Sequence, residues 1–295
     1  MSRCRVGKFL SHYTSGKIPK AFKVIPNLKS WEEVLFLTTP DSWSCQAHLV
    51  ATRIFASNFN PKMAQRFYAL VLLPKVRNDI ESNKHLNFHL YQAIKKALYK
   101  PAAFFKGLLL PLAEEGATAR EAVIMSSILA KCTIPVLHSS VALLKLTQMP
   151  FSGTCALFIK TLLNKKYSLP VKVLAACVQY FCAFLHHSTG GSAVGAMPLI
   201  WHQTLLCFVQ RYKYELTVNQ IAALRNLVKV QQHHAVTNEI RRELLAVAAG
   251  PQQQQQIAGV GSFQFIDSSK QGAATPAFTS LAASLAAPQS FSMDS

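Results

Sequence analysis

Apolar residues recur at helical spacing along most of the chain, and the alternating pattern of strands is scarce. In the stretch LNFHLYQAIKKALYKPAAFFKGLLLPL (86–112), apolar residues three and four positions apart outline one helix face, and lysines interrupt it on the other. Segments of this kind follow one another with short connections. The pattern predicts helices near residues 31–38, 42–57, 61–80, 85–99, 102–114, 119–131, 135–148, 154–164, 170–186, 198–212, 218–231 and 238–248.

Several predicted helix starts carry side chains that can satisfy unpaired backbone amides. In a capping box, a Ser or Thr hydroxyl and an acidic or amide side chain three residues later each accept one backbone N–H. Asn60 followed by Pro61 predicts a further N-cap, with proline in the first turn, where its missing N–H costs nothing. Pro74 and Pro111 lie inside apolar helical patterns, so we expect them to kink or end their helices. The predicted capping boxes are Ser30–Glu33, Thr118–Glu121 and Thr217–Gln220.

A faint repeat runs through the second half of the chain. Residues 134–146, 169–181 and 197–209 align as apolar helices that each begin at a proline, and prolines 101, 135, 170 and 198 are 34, 35 and 28 residues apart. Such a period favours stacked helical pairs, each burying its apolar face on its neighbours. We therefore predict an all-α fold, an irregular HEAT-like α-solenoid of about 11–12 helices. A plain multi-helix bundle with coincidental prolines is the alternative.

The composition divides the chain into three parts. Residues 1–29 are basic and contain Gly16, Pro19 and Pro26, which predicts an extended basic arm. Residues 30–249 hold the helical pattern and form the predicted folded domain. Residues 250–295 open with a run of glutamines and continue in Gly, Ala, Ser and Thr, so we expect a disordered tail.

The chain is strongly basic because it has few acids. Lys plus Arg number 31 against 13 Asp plus Glu, for a net charge of +18 over 295 residues. Between Gly116 and Tyr214 there is one acid, Glu121, against nine basic residues. A surface this one-sided repels itself unless a polyanion or an acidic partner relieves it. Solubility alone is the simpler explanation, but it needs only a modest excess of either sign.

The basic residues recur at helix faces and helix ends, several of them beside tyrosines. Repeated at successive helix edges, they would form a cationic ridge whose contacts with phosphates release counterions. Folded or double-stranded RNA suits such a ridge, because RNA helices are recognised largely by shape and backbone. For any single pair, a solvated helix face is the alternative interpretation. The predicted RNA- or partner-binding residues are Lys62, Arg66, Lys95, Lys96, Lys100, Lys106, Lys165, Lys166, Arg211, Lys213, Arg241 and Arg242.

Catalytic and metal-binding patterns are weak in this sequence. His85 and His89 share a helix face without an accompanying carboxylate, and Cys177 and Cys182 lack the spacing of a zinc site. The glycine-rich segment TGGSAVG (189–195) follows a helix and lacks the Gly-Lys-Ser/Thr of a phosphate-binding loop. We therefore predict no enzyme activity, no metal and no cofactor. The seven irregularly spaced cysteines indicate reduced thiols, and no apolar run is long enough to predict a membrane contact.

Four long phrases of the sequence are distinctive: ATRIFASNFNPKMAQRFYALVLLPKVRNDI (51–80), residues 86–112, SSILAKCTIPVLHSSVALLKL (126–146) and IWHQTLLCFVQRYK (200–213). They resemble the bystin family of small-subunit ribosome assembly factors. The resemblance covers residues 13–245 in order, with SGKIPKAFKVIPNLKSWEEVL (15–35) and EIRREL (239–244) as its flanks. The Gln-rich tail, the segment HHSTGGSAVGA (186–196) and the few residues ahead of position 13 depart from the family's pattern.

The resemblance implies a non-enzymatic helical-repeat protein that joins the precursor of the small (40S) ribosomal subunit and is required for maturation of 18S pre-rRNA. Its expected partners are small-subunit pre-rRNA, other assembly factors, and small-subunit ribosomal proteins near the future head and beak. Its expected location is the nucleolus and nucleus, from which it travels with pre-40S particles to the cytoplasm. A helical-repeat adaptor that grips acidic protein segments without touching RNA remains the alternative function.

Overall fold

The computed structural model describes residues 5–186 and 197–246, and within them every regular element is helical. The predicted glycine-rich connection, the end of the last predicted helix and the predicted tail lie outside these residues. The α-helices are α1 (Arg5–Ser11), α2 (Lys20–Val24), α3 (Trp31–Leu37), α4 (Cys45–Asn58), α5 (Pro61–Phe67), α6 (Leu73–Asn83), α7 (Phe88–Ala97), α8 (Pro101–Phe104), α9 (Leu110–Glu114), α10 (Ala119–Lys131), α11 (Val136–Thr147), α12 (Gly153–Leu163), α13 (Val171–Cys182), α14 (Leu199–Tyr212), α15 (Val218–Val230) and α16 (237–246).

The N-terminal segment is helical and packs into the core, so the prediction of an extended arm was wrong. Helices α1 and α2 form there, followed by a 3₁₀ turn over Ile25–Asn27. Leu10 and Phe22 are fully buried, and the Phe22 ring lies 5.4 Å from that of Trp43, centroid to centroid. Lysines, prolines and Gly16 suggested an arm, but apolar residues at helical intervals bury this segment against α4.

Two helices change their hydrogen bonding just before an internal proline. A π segment over Tyr68–Leu72 joins α5 to α6, and another over Phe105–Leu109 joins α8 to α9. Pro74 and Pro111 are each the second residue of the helix that follows. Proline has no N–H and its ring clashes with the carbonyl four residues back, which in both cases belongs to the π segment. The wider turn relieves this conflict, and helical structure continues through the proline.

The two π-containing helices lie against each other at a glycine. A Cβ on Gly107 would come within 2.6 Å of the Gln65 carbonyl oxygen and 3.2 Å of the Tyr68 Cβ. No side chain fits at that distance, because real Cβ atoms do not approach a backbone oxygen so closely. Gly107 therefore sets how near α5 and the second π segment can pack.

From α10 onward, alternate helices pack side by side in two rows. Helices α10, α12 and α14 form one row, and α11, α13 and α15 form the other. Within the first row, Thr204 Oγ1 donates to the Ala156 carbonyl at 3.2 Å and Tyr212 Oη to the Tyr167 carbonyl at 3.0 Å, so α12 and α14 run in the same direction. The loops 132–135, 164–170 and 213–217 therefore lie along one side of this part of the molecule.

The row packing explains the irregular proline spacing of the sequence. Pro135 and Pro170 are the N-caps of α11 and α13, which are neighbours in one row. Pro198 is the N-cap of α14, which belongs to the other row. The third aligned segment (197–209) therefore belongs to a different row from the first two. The shorter spacing of 28 residues, from Pro170 to Pro198, reflects this change of row.

No helix among the described residues is long and apolar enough to cross a membrane. The described cysteines are all free thiols. Burial raises the pKa of the Cys177 thiol to about 12, so this sulfur stays protonated and behaves as a small apolar group.

Candidate nucleic-acid interface

Two of the twelve predicted cations are held by carboxylates from distant parts of the chain. The Arg66 guanidinium forms a two-pronged ion pair with Glu32, in which Nη2 donates to Oε2 at 2.7 Å. Lys213 Nζ donates to Glu243 Oε2 at 2.6 Å, and this pair is largely buried. The hydrogen bond raises the pKa of Lys213 and lowers the pKa of Glu243, as expected for a formed ion pair. Both cations are therefore paired within the protein and offer little free charge.

Two more predicted cations also have partners within the protein. Lys165 Nζ donates to the carbonyls of Ala130, at 3.0 Å, and of Cys132, which end helix α10. A lysine in this position satisfies unpaired carbonyls and complements the negative end of the helix dipole. Arg242 pairs with Glu239 one turn earlier on α16, at the surface.

The other eight predicted cations have no carboxylate within ion-pair distance among the described residues. Their charges are consequently free to meet an external anion. They are Lys62, Lys95, Lys96, Lys100, Lys106, Lys166, Arg211 and Arg241.

Three of these lysines lie at the end of α7. The buried face of α7 packs on α4 through residues such as Leu90 and Ile94, so Lys95 and Lys96 lie on the outer side. Lys100 follows the helix, and its Nζ lies 5.7 Å from the centroid of the Tyr99 ring. The Tyr99 side chain is 72% exposed. Unpaired ammonium groups can bind phosphates, and the exposed aromatic ring beside them can stack on a base. Proteins that bind single-stranded nucleic acids combine these two contacts.

Lys62 and Lys106 lie on neighbouring elements. Lys62 is in the first turn of α5, and Lys106 is in the π segment beside Gly107, which contacts the α5 backbone. Both lysines are exposed. The close packing at Gly107 therefore places a second free ammonium group on the surface next to α5.

The loops 132–135, 164–170 and 213–217 form a third cationic region, which we call the loop edge. Tyr167 ties the three loops together, because its hydroxyl accepts from the Ile134 amide at 3.2 Å and its carbonyl accepts from Tyr212. Lys166 and Arg211 lie exposed along it. The sequence analysis expected cations at successive helix edges to form a ridge, and the packing of α10, α12 and α14 brings Lys166 and Arg211 to the same side of this part of the molecule.

Sequence reasoning missed other members of this region. Lys131, in the last turn of α10, has its Nζ 5.8 Å from the centroid of Tyr91 on α7. Lys172, in the first turn of α13, is exposed beside the second loop. Lys131 had a signal in the sequence, since a lysine in a last helix turn is a common dipole partner. Lys172 had none, because the first turn of a helix is an unfavourable place for a cation.

No three His, Cys, Asp or Glu side chains among the described residues come close enough together to hold a metal ion. A surface cavity of about 660 Å³ is lined by both acidic and basic residues. Arg77 lies in it and pairs with Glu115 and, at 3.4 Å, with Glu121. Arg77 is thus neutralised within the cavity, and Glu121 in addition caps α10.

A family model described as Bystin matches residues 4–254, nearly the whole helical part of the chain. The chain belongs to the bystin family. Bystin of Monosiga brevicollis is 55% identical over 241 residues, which are 81% of this chain and 57% of that protein. Bystin of Nematostella vectensis is 54% identical over 241 residues, and human bystin is 53% identical over 240 residues, covering 55% and 54% of their lengths.

The resemblance found in residues 13–245 is thereby confirmed, and the family match extends into the N-terminal helices. The chain spans about half the length of the curated bystins that it matches. The free cations of α7 and of the loop edge both lie within the bystin match.

Proposed function

We propose that this bystin-family chain is a non-enzymatic ribosome biogenesis factor. In this proposal it binds the precursor of the small (40S) ribosomal subunit and is required for maturation of 18S pre-rRNA. Family membership supports the proposal, and so does a helical surface whose cations outnumber the acids available to neutralise them. The observation that carries the RNA contact is the group Lys95, Lys96 and Lys100 beside exposed Tyr99.

The physical basis is phosphate neutralisation. Each lysine that pairs with a phosphate releases condensed counterions. The affinity for RNA from these contacts therefore falls steeply as the salt concentration rises, and it does not depend on the nucleotide sequence. Tyr99 adds a stacking surface for an unpaired base. This combination suits a folded precursor RNA, in which helical backbones alternate with unpaired nucleotides.

We infer that the two rows of helices are part of a HEAT-like helical repeat. The side-by-side packing of α10 with α12 and α14, and of α11 with α13 and α15, supports this arrangement. In such a fold each helical pair contacts its neighbours, and the loops between helices form an extended binding surface. Long surfaces of this kind suit a factor that touches RNA and protein together.

The proposed partners are small-subunit pre-rRNA, other assembly factors, and ribosomal proteins near the head and beak of the small subunit. The proposed location is the nucleolus and nucleus, with passage to the cytoplasm on pre-40S particles. These expectations follow from the bystin resemblance, and they extend to this chain a role expected of proteins of which it matches a little over half.

The test is charge reversal at the end of α7. We expect Lys95→Glu, Lys96→Glu and Lys100→Glu together to reduce co-sedimentation with small-subunit precursors strongly while leaving the helical content, measured by circular dichroism, unchanged. The matched control reverses Lys17, Lys20 and Lys23, which are exposed in the N-terminal segment. A loss of co-sedimentation in the first variant alone supports the proposal, whereas equal behaviour of the two variants would exclude a specific contact at α7.

The adaptor alternative is separated from this proposal by nuclease treatment of purified complexes. If the chain contacts RNA, digestion should release part of its partners, and ultraviolet crosslinks should map to the α7 end. Complexes that survive digestion intact, without crosslinks to the chain, would favour an adaptor for acidic proteins.

A further inference from the structure

Aliphatic side chains are exposed along the loop edge, at the starts of the helices that leave it. Leu137 is 74% exposed in the first turn of α11, Val171 is 72% exposed at the start of α13, and Val218 is 82% exposed at the start of α15. Because α11, α13 and α15 form one row, these side chains follow one another along the same side of the molecule. Isolated exposed aliphatics are ordinary, but a repeated series marks an interaction surface.

Each of these aliphatic residues follows a cation across a short loop. Lys131 precedes Leu137, Lys166 precedes Val171, and Arg211 precedes Val218. Lys172 adds a further exposed ammonium group, and Glu215 is the acid among the loop residues. The edge therefore presents free positive charge and apolar surface in alternation, three times in succession.

This alternation fits protein better than RNA. Bases could stack on Arg211 or on Tyr214, which is 73% exposed, but an RNA bound in this way would leave Leu137, Val171 and Val218 uncovered. Phosphates gain nothing from an aliphatic neighbour. A protein segment that carries carboxylates and bulky apolar side chains satisfies both kinds of group. It would also cover the exposed aliphatics, and their burial would stabilise the complex.

We propose that the loop edge binds an acidic protein segment with interspersed apolar residues, laid across the loops 132–135, 164–170 and 213–217. Neighbouring helices lie about 8–10 Å apart, so the three loops extend over roughly 20 Å. An extended chain advances about 3.3 Å per residue, so six or seven residues reach across the edge, with one acidic and one apolar contact about every three residues.

The central loop is held in a fixed shape. Lys166 has φ of 57°, a left-handed conformation that side chains other than glycine rarely adopt. Hydrogen bonds on both sides maintain it, from the Lys166 amide to the Leu163 carbonyl and from Ile134 to Tyr167. The Lys166 side chain is exposed, five residues before exposed Val171. The proposal goes beyond the RNA contact of α7 and does not depend on it.

The experiment measures fluorescence anisotropy with a labelled twelve-residue probe in which Glu and Leu alternate with Ser spacers. Three companions complete the set: the same peptide with Lys for Glu, the same peptide with Ser for Leu, and a 16-base-pair RNA duplex. The edge variants are Lys166→Gly, which removes the charge and relieves the left-handed backbone, and Leu137→Ser. Their matched controls are Lys84→Gly, since Lys84 is an exposed lysine with φ of 61°, and Leu37→Ser, since Leu37 is 67% exposed.

We expect the acidic-apolar probe to bind. Leu137→Ser should weaken binding by about tenfold, because one leucine is no longer buried. Lys166→Gly should weaken it by about threefold, because one exposed ion pair is lost. The controls should bind as the unmodified chain does, and both companion peptides should bind more weakly than the probe. Absence of probe binding, or equal losses in edge and control variants, would overturn the proposal. Tight duplex binding that Lys166→Gly weakens and Leu137→Ser leaves intact would overturn it too, and would make the edge an RNA surface.

Discussion

At the scale of single residues, adjacent side chains of one type have different roles here. Lys165 donates to the carbonyls at the end of α10, whereas Lys166 lies exposed in a left-handed turn. The sequence predicted both as binding residues, since Lys-Lys-Tyr at a helix end carries no sign of which ammonium group turns inward. The distinction follows from carbonyls that lie more than thirty residues earlier in the chain.

His48 is a buried histidine whose surroundings oppose its charge. It is 1% exposed, its Nδ1 donates to the Ser44 carbonyl at 3.0 Å, and its Nε2 has no partner. Burial lowers its pKa from 6.5 to about 4, and nearby Lys75 contributes in the same direction. The unfolded chain therefore gains a proton near pH 6.5, while the folded chain gains it only near pH 4.

We predict that the free energy of unfolding is constant above about pH 7 and falls by about 3 kcal/mol between pH 6.5 and pH 4 through this residue. His48→Asn keeps a donor toward Ser44 but cannot titrate, so its stability should fall less over the same range. Urea unfolding at several pH values measures both slopes. Parallel slopes in the two proteins would show that His48 is not responsible.

At the scale of elements, helix starts show how far local signals reach. The capping boxes predicted at Thr118 and Thr217 both form, and Asn60 accepts from the Met63 amide as predicted. The box predicted at Ser30 was wrong, since its side chain makes no capping hydrogen bond. The threonines have extended backbones with ψ of 154° and 158°, whereas Ser30 has ψ of 42°, which turns its hydroxyl away from the first-turn amides.

We predict that Thr118→Ala lowers the free energy of unfolding by about 1 kcal/mol, because it leaves the Glu121 amide without its acceptor. Ser30→Ala is the matched control and should change stability by only a few tenths of a kcal/mol. Chemical denaturation of both variants provides the comparison. A loss at Ser30 as large as that at Thr118 would mean that the Ser30 cap forms in solution.

The prolines inside helices also show that a local sequence pattern predicts only part of the structure. The sequence predicted that Pro74 and Pro111 kink or end their helices, and the conflict with the carbonyl four residues back is real. The structure resolves it with a π segment before each proline, while the helical structure continues. The local rule gives the conflict at each proline, but it does not say whether the helix ends there or continues through a π segment.

At the scale of the whole molecule, charge is unbalanced although several cations are paired. The net charge is +18, and the eight unpaired cations of the predicted set remain available. Mutual repulsion of these charges destabilises the compact state, and salt screens it within a Debye length of about 8 Å at physiological ionic strength. The ion pairs that salt weakens are fewer, and the exposed ones contribute little.

We predict that the melting temperature rises as sodium chloride is added from low to physiological concentration. A variant with Lys17, Lys20 and Lys23 changed to Gln lowers the positive charge by three, and it should show a smaller rise. Scanning calorimetry of both proteins measures the effect. A melting temperature that falls with salt would mean that ion pairs such as Lys213–Glu243 outweigh the repulsion.

The sequence alone determined the helical class, most helix limits and the bystin resemblance. Periodicity, caps and prolines act within a few residues, so α10 and α15 begin where Thr118 and Thr217 predict. Only the tertiary structure decided that residues near Leu10 and Phe22 join the core, that Arg66 and Lys213 are neutralised, and that three loops share one edge. These outcomes depend on contacts between residues some thirty to fifty positions apart, such as Tyr167 with Tyr212, which local patterns do not encode.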